Sequence, residues 1–542
     1  MNLPERLLES PPEAVDRNHS SPSWLGSVRT VGLLTLLSRV LGLIRDMGMA
    51  AVFGNGPLLD SFTLAFRIPN LTRRLFGEGA LTTAFLPEFV KANHHDSLKA
   101  RRLASAVFLL LFLLLVGLVG LGELVVLWNL SSVEVGTAGY QIRVMTAFML
   151  PYVILICLSA QLGAVLNALG EFAIPAFVPV LLNVVWIAAL WWIVPNFPQD
   201  WDKIVIVMLA VLLGGAAQLI VPWMYLRNRG MSFDSQWRSE LPGTRRVFRL
   251  MLPVVLAMSV SQLNAICDSS LAWWYSQPEQ GAWVPAGMAS ALYFGQRMYQ
   301  FPLGVFGLAL GTVMFARLAH HVQSGERDRI RGDVIEGVRL VLVIGLPASL
   351  GMMLLAEPLT RTLLERGEFS EADSRQTAAT VLAYGSAIWA YLGVSLIQRV
   401  FYALEDASTP VRVGFVAVAL NLVLNFVFLF LIGGSGLAYA TAVSAVVQFL
   451  LLISLLHWRM EITLDTSVVT FSLKLLFATG LMGAGCLASL WSIRGVWPTA
   501  PQWMLLLVPL LVATLLYGLV LKLLRLPELG LLLQIRPASR NS

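Results

Sequence analysis

The sequence predicts an all-α polytopic membrane protein of about fourteen transmembrane helices, built as two six-helix lobes followed by a C-terminal helix pair. Three observations predict it. Of the 542 residues, 57% are hydrophobic and only 13% charged, and the mean hydropathy of +0.73 is far from the balance of a soluble domain. Apolar stretches of about 20 residues or more, long enough to cross a bilayer's hydrocarbon core, recur along the whole chain between short polar connections. Lys and Arg gather in every second connection, as they do when short basic loops stay in the cytoplasm; the exception, LTRTLLERGEFSEADSRQ after the ninth span, has three Arg accompanied by Glu365, Glu368, Glu371 and Asp373.

Spans are expected near 28–53, 60–91, 103–129, 137–168, 172–194 and 203–226, which with their connections make a first lobe over 28–230. A second lobe over 245–457 takes spans near 246–275, 286–318, 334–356, 376–404, 410–432 and 435–457. A last pair, near 470–493 and 502–524, occupies 470–524. Residues 1–27, which begin MNLPERLLESPPEAVDRNHSSPSW, hold acids and prolines and lack the basic start and apolar run of a cleaved signal peptide, so they read as a cytoplasmic tail. Residues 525–542 read as a second one. The basic connections are those with Lys91, Lys99, Arg101 and Arg102, with Arg227, Arg229, Arg238, Arg245 and Arg246, and with Arg317, Arg327, Arg329 and Arg331. That alternation places both termini in the cytoplasm. It also accounts for the formal charge of +6 and the pI near 9.3 without nucleic acid as a partner.

A weak internal repeat supports the division into lobes. NALGEFAIP at 167–175 resembles YALEDASTP at 402–410, and FGEGALTTAF at 76–85 resembles FGLALGTVMF at 306–315. Both matches relate a span to the one six places later, which indicates a parallel duplication.

Polar residues inside the apolar spans carry the functional information, because a charge at the centre of a membrane helix costs about 2.5–3.5 kcal/mol and needs a partner or a wet cavity. The first span holds Ser38, Arg39, Arg45 and Asp46, with Ser38 over Arg45 and Arg39 over Asp46 at the seven-residue repeat. In the second, Arg67, Asn70, Arg74 and Glu78 share a face, Arg73 lies beside them, and Arg74 can pair with Glu78. Pro69, with Gly77 and Gly79 nearby, predicts a bend and a candidate hinge. The seventh span has Ser261, Asn264 and Asp268 on one stripe, and the eighth has Tyr293, Arg297 and Gln300 just before Pro302, the second candidate hinge. Stripes in the first, second, seventh and eighth spans are expected to line one central cavity. Its arginines outnumber the nearby acids Asp46, Glu78 and Asp268, so the guest is anionic. Arginine's planar donor fork suits phosphate or carboxylate, and several in one cavity suit a diphosphate. Replacing Arg45 or Arg297 with Ala is expected to abolish transport and spare the fold.

SRVLGLIRD, the stretch from LLDSFTLAFRIPN to LTRRLFGEGA, QRMYQFPLGVFGLALGT and FYALEDASTP closely resemble the MurJ (MviN) lipid II flippases of the MOP exporter superfamily. That resemblance spans nearly the whole chain. It implies two lobes around a cationic V-shaped cavity, as in MATE-like carriers, and a final helix pair forming a groove for a lipid tail. It implies as cavity residues Ser38, Arg39, Arg45, Asp60, Arg73, Arg74, Glu78 and Arg297, with Arg67 at a position that is often Lys. One departure is that Gln296 and Gln300 replace family acids around Arg297, which bears on any gating pair there. Relatives that bind sodium point to Asp268 as a candidate ligand. The implied setting is the bacterial inner membrane, with lipid II as substrate, membrane lipids around it, and proteins of cell-wall synthesis as candidate partners.

Other function classes are less well matched. There is no G-x-x-x-x-G-K-[ST], no H-E-x-x-H and no close run of acids for a magnesium-dependent phosphotransferase, so no covalent step and no cofactor are expected. Energy would come from an ion gradient, the membrane potential or consumption of the product. Cys157, Cys267 and Cys486 are isolated thiols with no paired spacing. A multidrug exporter of cations should present acids in its cavity, and this chain presents arginines. A flippase for another lipid-linked oligosaccharide remains the alternative, since tail and diphosphate are shared.

Overall fold

The structure is a computed structural model that describes residues 24–73, 75, 81–323, 326–460, 466–526, 528 and 530. Among the described residues it is helical without a strand. The first lobe comprises α1 (Trp24–Phe53), α2 (Pro57–Thr72), α3 (Leu81–His95), α4 (Ser97–Leu130), α5 (Ala138–Met149), α6 (Pro151–Ala168), α7 (Ala173–Ala188) and α8 (Asp200–Asn228). The second comprises α9 (Leu241–Tyr275), α10 (Met288–Gln323), α11 (Arg327–Leu354), α12 (Ala356–Leu364), α13 (Glu371–Gly385), α14 (Ile388–Ala403), α15 (Ser408–Ile432) and α16 (Ser435–Met460). The last pair is α17 (Thr466–Val496) and α18 (Gln502–Leu523).

Among the described residues nine helical stretches are long and apolar enough to span a membrane, or ten if α13 and α14, bent by 43°, form one span. The expected count of fourteen is thus met by length and composition for ten. The other four expected segments are helical too, as α1, α2 with α3, α9 and α10, and these are the ones with charged stripes. Their polar faces lower the apolar content that marks a span.

The packing repeats with an offset of six spans. In the first lobe α1 packs on α7, α7 on α8, α6 on α8, and α2 on α5; in the second, α9 packs on α15, α15 on α16, α14 on α16, and α10 on α13. The fourth rod is broken in both lobes, at Leu150–Pro151 between α5 and α6 and at Ser386–Ala387 between α13 and α14. Pro151 at a helix start is favourable there, because its missing N–H would have had no partner in the first turn. The final pair packs on itself and on the second lobe through α11 and α12, with Tyr517 donating to the Val343 carbonyl at 2.6 Å.

Local chemistry fixes the helix starts. Asp96 accepts from Leu98 N–H at 2.8 Å ahead of α4, and Ser370 and Asp373 form a reciprocal capping box at α13. In the YALEDASTP turn Asp406 accepts from the backbone and hydroxyl groups of Ser408 and Thr409 and from Arg459, which holds its carboxyl well below the usual carboxylate range.

The lobes meet at the end of the bundle where α1 turns into α2. Glu368 N–H donates to the Ala51 carbonyl at 2.9 Å, and Asn55 Nδ2 to Gln376 Oε1 at 3.3 Å. Trp273 Nε1 donates to Ser61 Oγ at 3.2 Å. These contacts close that end and leave a cavity between the lobes.

Candidate functional site

An interlobe cavity of about 1080 Å³ is lined by α1, α2, α6, α7, α8 and α10, with α11 and α12 at one edge. Ser38, Arg39, Arg45, Asp46, Arg73, Arg297 and the hinge candidate Pro302 all lie on its wall. Four arginines therefore face one aspartate among the described lining residues.

Arg45 and Asp46 are both buried, 6% and 5% exposed, so their charges are stabilised by each other and by neighbours rather than by water. Arg45 donates to Asp46 Oδ1 from Nη2 at 2.7 Å and to Asn183 Oδ1 from Nη1 at 3.0 Å, and its guanidinium lies over the Trp186 ring at 4.6 Å. Trp186 is in turn held edge-on by Phe62 and Phe66, at centroid distances of 5.8 and 5.3 Å. This aromatic wedge from α2 and α7 sets where Arg45 can point. From the other lobe, Tyr293 donates its hydroxyl to Asp46 Oδ1 at 3.2 Å, and Arg297 Nε lies 3.4 Å from Asp46 Oδ2. Arg297 Nη2 also donates to the Tyr293 hydroxyl at 3.2 Å. One carboxylate thus serves two arginines from opposite lobes, and Arg297, 34% exposed at its side chain, keeps donors toward the cavity.

Arg39 is exposed, with its guanidinium against the α10 backbone at Gly304. Arg73 donates to Asn70 Oδ1 from Nε at 3.4 Å and from Nη2 at 3.2 Å. Arg74 and Glu78, and hence their expected pairing, lie outside the described residues. Pro69 lies inside α2, three residues before its end at Thr72, and Pro302 inside the uninterrupted α10.

Two expectations need correcting. Asp60 does not line this cavity: it is 1% exposed and caps the start of α10 across the lobe boundary, accepting from Gly287 N–H at 2.8 Å and from the Ser290 N–H and hydroxyl at 2.7 Å each. A carboxylate there satisfies the free N–H groups of a helix start and sits well in its dipole. Nor do Asn264 and Asp268, from the stripe of the seventh span, face the same hollow as the other stripes. They line a smaller adjoining pocket of about 200 Å³, and Arg67 points there as well.

Arg67 bridges the lobes in that pocket, donating to the Ala265 carbonyl at 2.7 Å and to Gln296 Oε1 at 3.3 Å. Gln296 passes the contact on by donating to the Tyr384 hydroxyl at 3.2 Å. The Gln that departs from the family pattern therefore acts as a neutral partner for a cation of the opposite lobe. Deeper in, Asp268 is 1% exposed and accepts from Asn425 Nδ2 and Thr441 Oγ1, both at 2.7 Å. Asn421 donates to Thr441 Oγ1 at 3.2 Å and accepts from Asn425 Nδ2 at the same distance. Sequence reasoning reached Asp268 and left Asn425 and Thr441 unassigned, because only the packing of α15 and α16 on α9 brings them together. Asn183, Trp186 and Tyr384 were missed for the same reason: an Asn or an aromatic ring in an apolar helix carries no signal of its own.

A family profile described as "Lipid II flippase MurJ" matches residues 49–508. A protein named probable lipid II flippase MurJ from Vibrio cholerae serotype O1 is 34% identical over 478 residues, covering 85% of this chain and 88% of that protein. The lipid II flippase MurJ of Burkholderia cenocepacia is 33% identical over 435 residues, 78% of this chain and 82% of its own length. Among solved structures, a lipid II flippase MurJ in an inward closed conformation superposes with a TM-score of 0.74 at 22% identity, covering 91% of this chain and 98% of that one. An inward-facing multidrug resistance MATE family transporter of the MOP superfamily gives 0.62 at 12% identity, covering 80% and 98%. At these identities the two structures establish a shared fold.

Proposed function

The chain belongs to the lipid II flippase MurJ family, and from that premise we infer how its own residues move lipid II across a bacterial cytoplasmic membrane by alternating access. The observation that carries the reading is a hollow between two lobes in which, among the described residues, four arginines face one carboxylate. Such a wall attracts a diphosphate, and Arg39, Arg73 and Arg297 have the planar donors to hold one. The lipid tail stays in the bilayer, where its transfer requires no protein cavity, while the polar headgroup crosses inside the protein. With both termini in the cytoplasm, the closed end near Asn55 and Gly287 faces outward and the cavity loads from inside.

The chain's residues do no covalent work in this scheme. Headgroup binding pulls Arg297 and Arg39 toward the anion, weakens the hold on Asp46 that joins α1 to α10, and so favours parting of the closed end. Once that end opens, water reaches the phosphates and competes with the arginines, and the cargo leaves.

The reading is tested with purified protein in liposomes carrying lipid II on one leaflet. Lipid II is expected to become accessible on the other leaflet, and the gene is expected to rescue a strain depleted of its essential flippase. Unchanged sidedness together with failed rescue would refute it.

The Asp268 cluster fits a hard monovalent cation such as sodium. Its donors are all oxygen, supplied by Asp268, Thr441, Asn421 and Asn425, and Asn425 Oδ1 is buried with no partner among the described residues. A bound sodium ion would supply coupling to the ion gradient. The purified protein is therefore expected to melt at a higher temperature in NaCl than in KCl at equal ionic strength, and Asp268→Asn to lose that difference. A wild type indifferent to the choice of cation removes sodium from the scheme.

A further inference from the structure

The smaller pocket adjoins the larger cavity across Phe66, Asn70, Arg297 and Gln300, which line both. Arg67 forms its cationic wall. Two of the three guanidinium nitrogens are engaged, Nη1 with the Ala265 carbonyl and Nη2 with Gln296. The third, Nε, is buried with no partner among the described residues, and Asn264 Oδ1 on the same pocket is buried and unpartnered too. Leaving a buried charged donor unpaired is unfavourable, so such an atom in a hollow signals a ligand. Asn264 can meet the same ligand, because its amide presents either oxygen or NH₂ according to what faces it.

We propose that this pocket receives a carboxylate from the peptide branch of the cargo while the diphosphate stays in the larger cavity. This rests on the reading of the cargo as lipid II. The unpartnered Nε–H of Arg67, flanked by the neutral amides of Asn264, Gln262 and Gln300, suits a planar two-oxygen group of single charge. A diphosphate carries more charge and is better served by the four arginines next door. About 200 Å³ holds a carboxylate with the few carbons that carry it and has no room for a sugar diphosphate. Asp268 shares the pocket, yet both its oxygens accept hydrogen bonds from α15 and α16 at 2.7 Å, which turns its charge toward those helices. Arg67 belongs to the first lobe and Asn264 to the second, so a carboxylate held between them reports a complete headgroup to both. A lipid diphosphate without its peptide would leave that bridge unmade.

The test measures binding to the full chain in nanodiscs. Three ligands are compared: lipid II with free peptide carboxylates, the same lipid with those groups converted to carboxamides, and undecaprenyl diphosphate. The carboxamide is nearly isosteric, so it removes the charge and places an NH₂ against the guanidinium without changing size. It is expected to bind about tenfold more weakly than the free acid, and Asn264→Leu and Arg67→Gln to narrow that gap to about twofold. Equal affinity for acid and amide, with undecaprenyl diphosphate also bound, overturns the carboxylate pocket and leaves the flippase reading standing. A gap that persists undiminished in both variants also overturns it, because the carboxylate is then read elsewhere. Failure of all three lipids to bind overturns the flippase reading and this one together.

Discussion

Gly287→Ala should hold the closed ends of the two lobes apart and reduce net flipping by more than about tenfold. Gly287 has a φ of +84°, and a Cβ placed on it would lie 2.1 Å from the Asn55 carbonyl oxygen of the opposite lobe. Gly367, with a φ of +59°, would likewise set its Cβ 2.2 Å from the Ala51 carbonyl oxygen. Both obstacles are backbone, which cannot rotate away as a side chain end does. An alanine also adds about 1–2 kcal/mol for the left-handed conformation itself. The overlap is removed only by withdrawing one lobe's loop from the other, and that dismantles the closed end. Because Gly287 N–H also donates to Asp60, the substitution pulls the carboxylate cap off α10 as the loop moves. A shift of about 5.5 kcal/mol inverts a two-state population from 99:1 to 1:99, so a penalty of about half that size already brings a dominant closed form down to an even mixture. Spin labels on the 54–56 loop and on α13 should report a longer interlobe distance in Gly287→Ala and in Gly367→Ala. Asp60→Asn, which keeps one acceptor oxygen for the Ser290 donors and sets an NH₂ against the Gly287 N–H, adds no backbone overlap and should shift the distance less. Wild-type distances in both glycine variants would show that these close approaches do not decide closure.

That gate was not legible in the sequence, and the reason is physical. A glycine in a loop between hydrophobic spans looks the same whether it relieves a turn or admits another backbone, and only tertiary contact distinguishes the two. Asp60 entered only through the family resemblance, and its role depends on a helix start 227 residues away in sequence. What could be read were features encoded within one segment: apolar length, basic loops, and polar residues three, four or seven apart. Those yielded the two lobes, the stripes of α1, α2, α9 and α10, and the arginine excess. They could not say that the stripes divide between two adjoining hollows. That division depends on α10 turning Tyr293 and Arg297 toward Asp46 while Gln296, one position earlier, reaches Arg67. Neighbours in a helix point about 100° apart, so one turn of α10 serves both sites.

The same geometry separates two arginines that sequence alone treats as equivalent. Arg297→Ala is expected to abolish flipping in a protein that folds normally, because its head is partly exposed to the cavity and Asp46 keeps its shorter contact, 2.7 Å, with Arg45. Arg45→Ala should also abolish flipping but for a mixed reason, which corrects the expectation that the fold is spared. It removes the better of the two partners of a buried carboxylate, leaves the Asn183 Oδ1 acceptor empty and uncovers the Trp186 face. Breaking a buried pair of this kind costs about 3–5 kcal/mol, and the remaining 3.4 Å contact from Arg297 to Asp46 places the loss at the low end. Arg45→Ala should therefore melt several degrees below wild type in detergent, and Arg297→Ala within a degree or two. Adding Asp46→Asn to Arg45→Ala should restore part of the stability, since the uncompensated charge is gone, and none of the transport. Equal melting temperatures for the two single variants would mean that Arg45 is no more structural than Arg297, and the shared carboxylate would lose its place as the joint between the lobes.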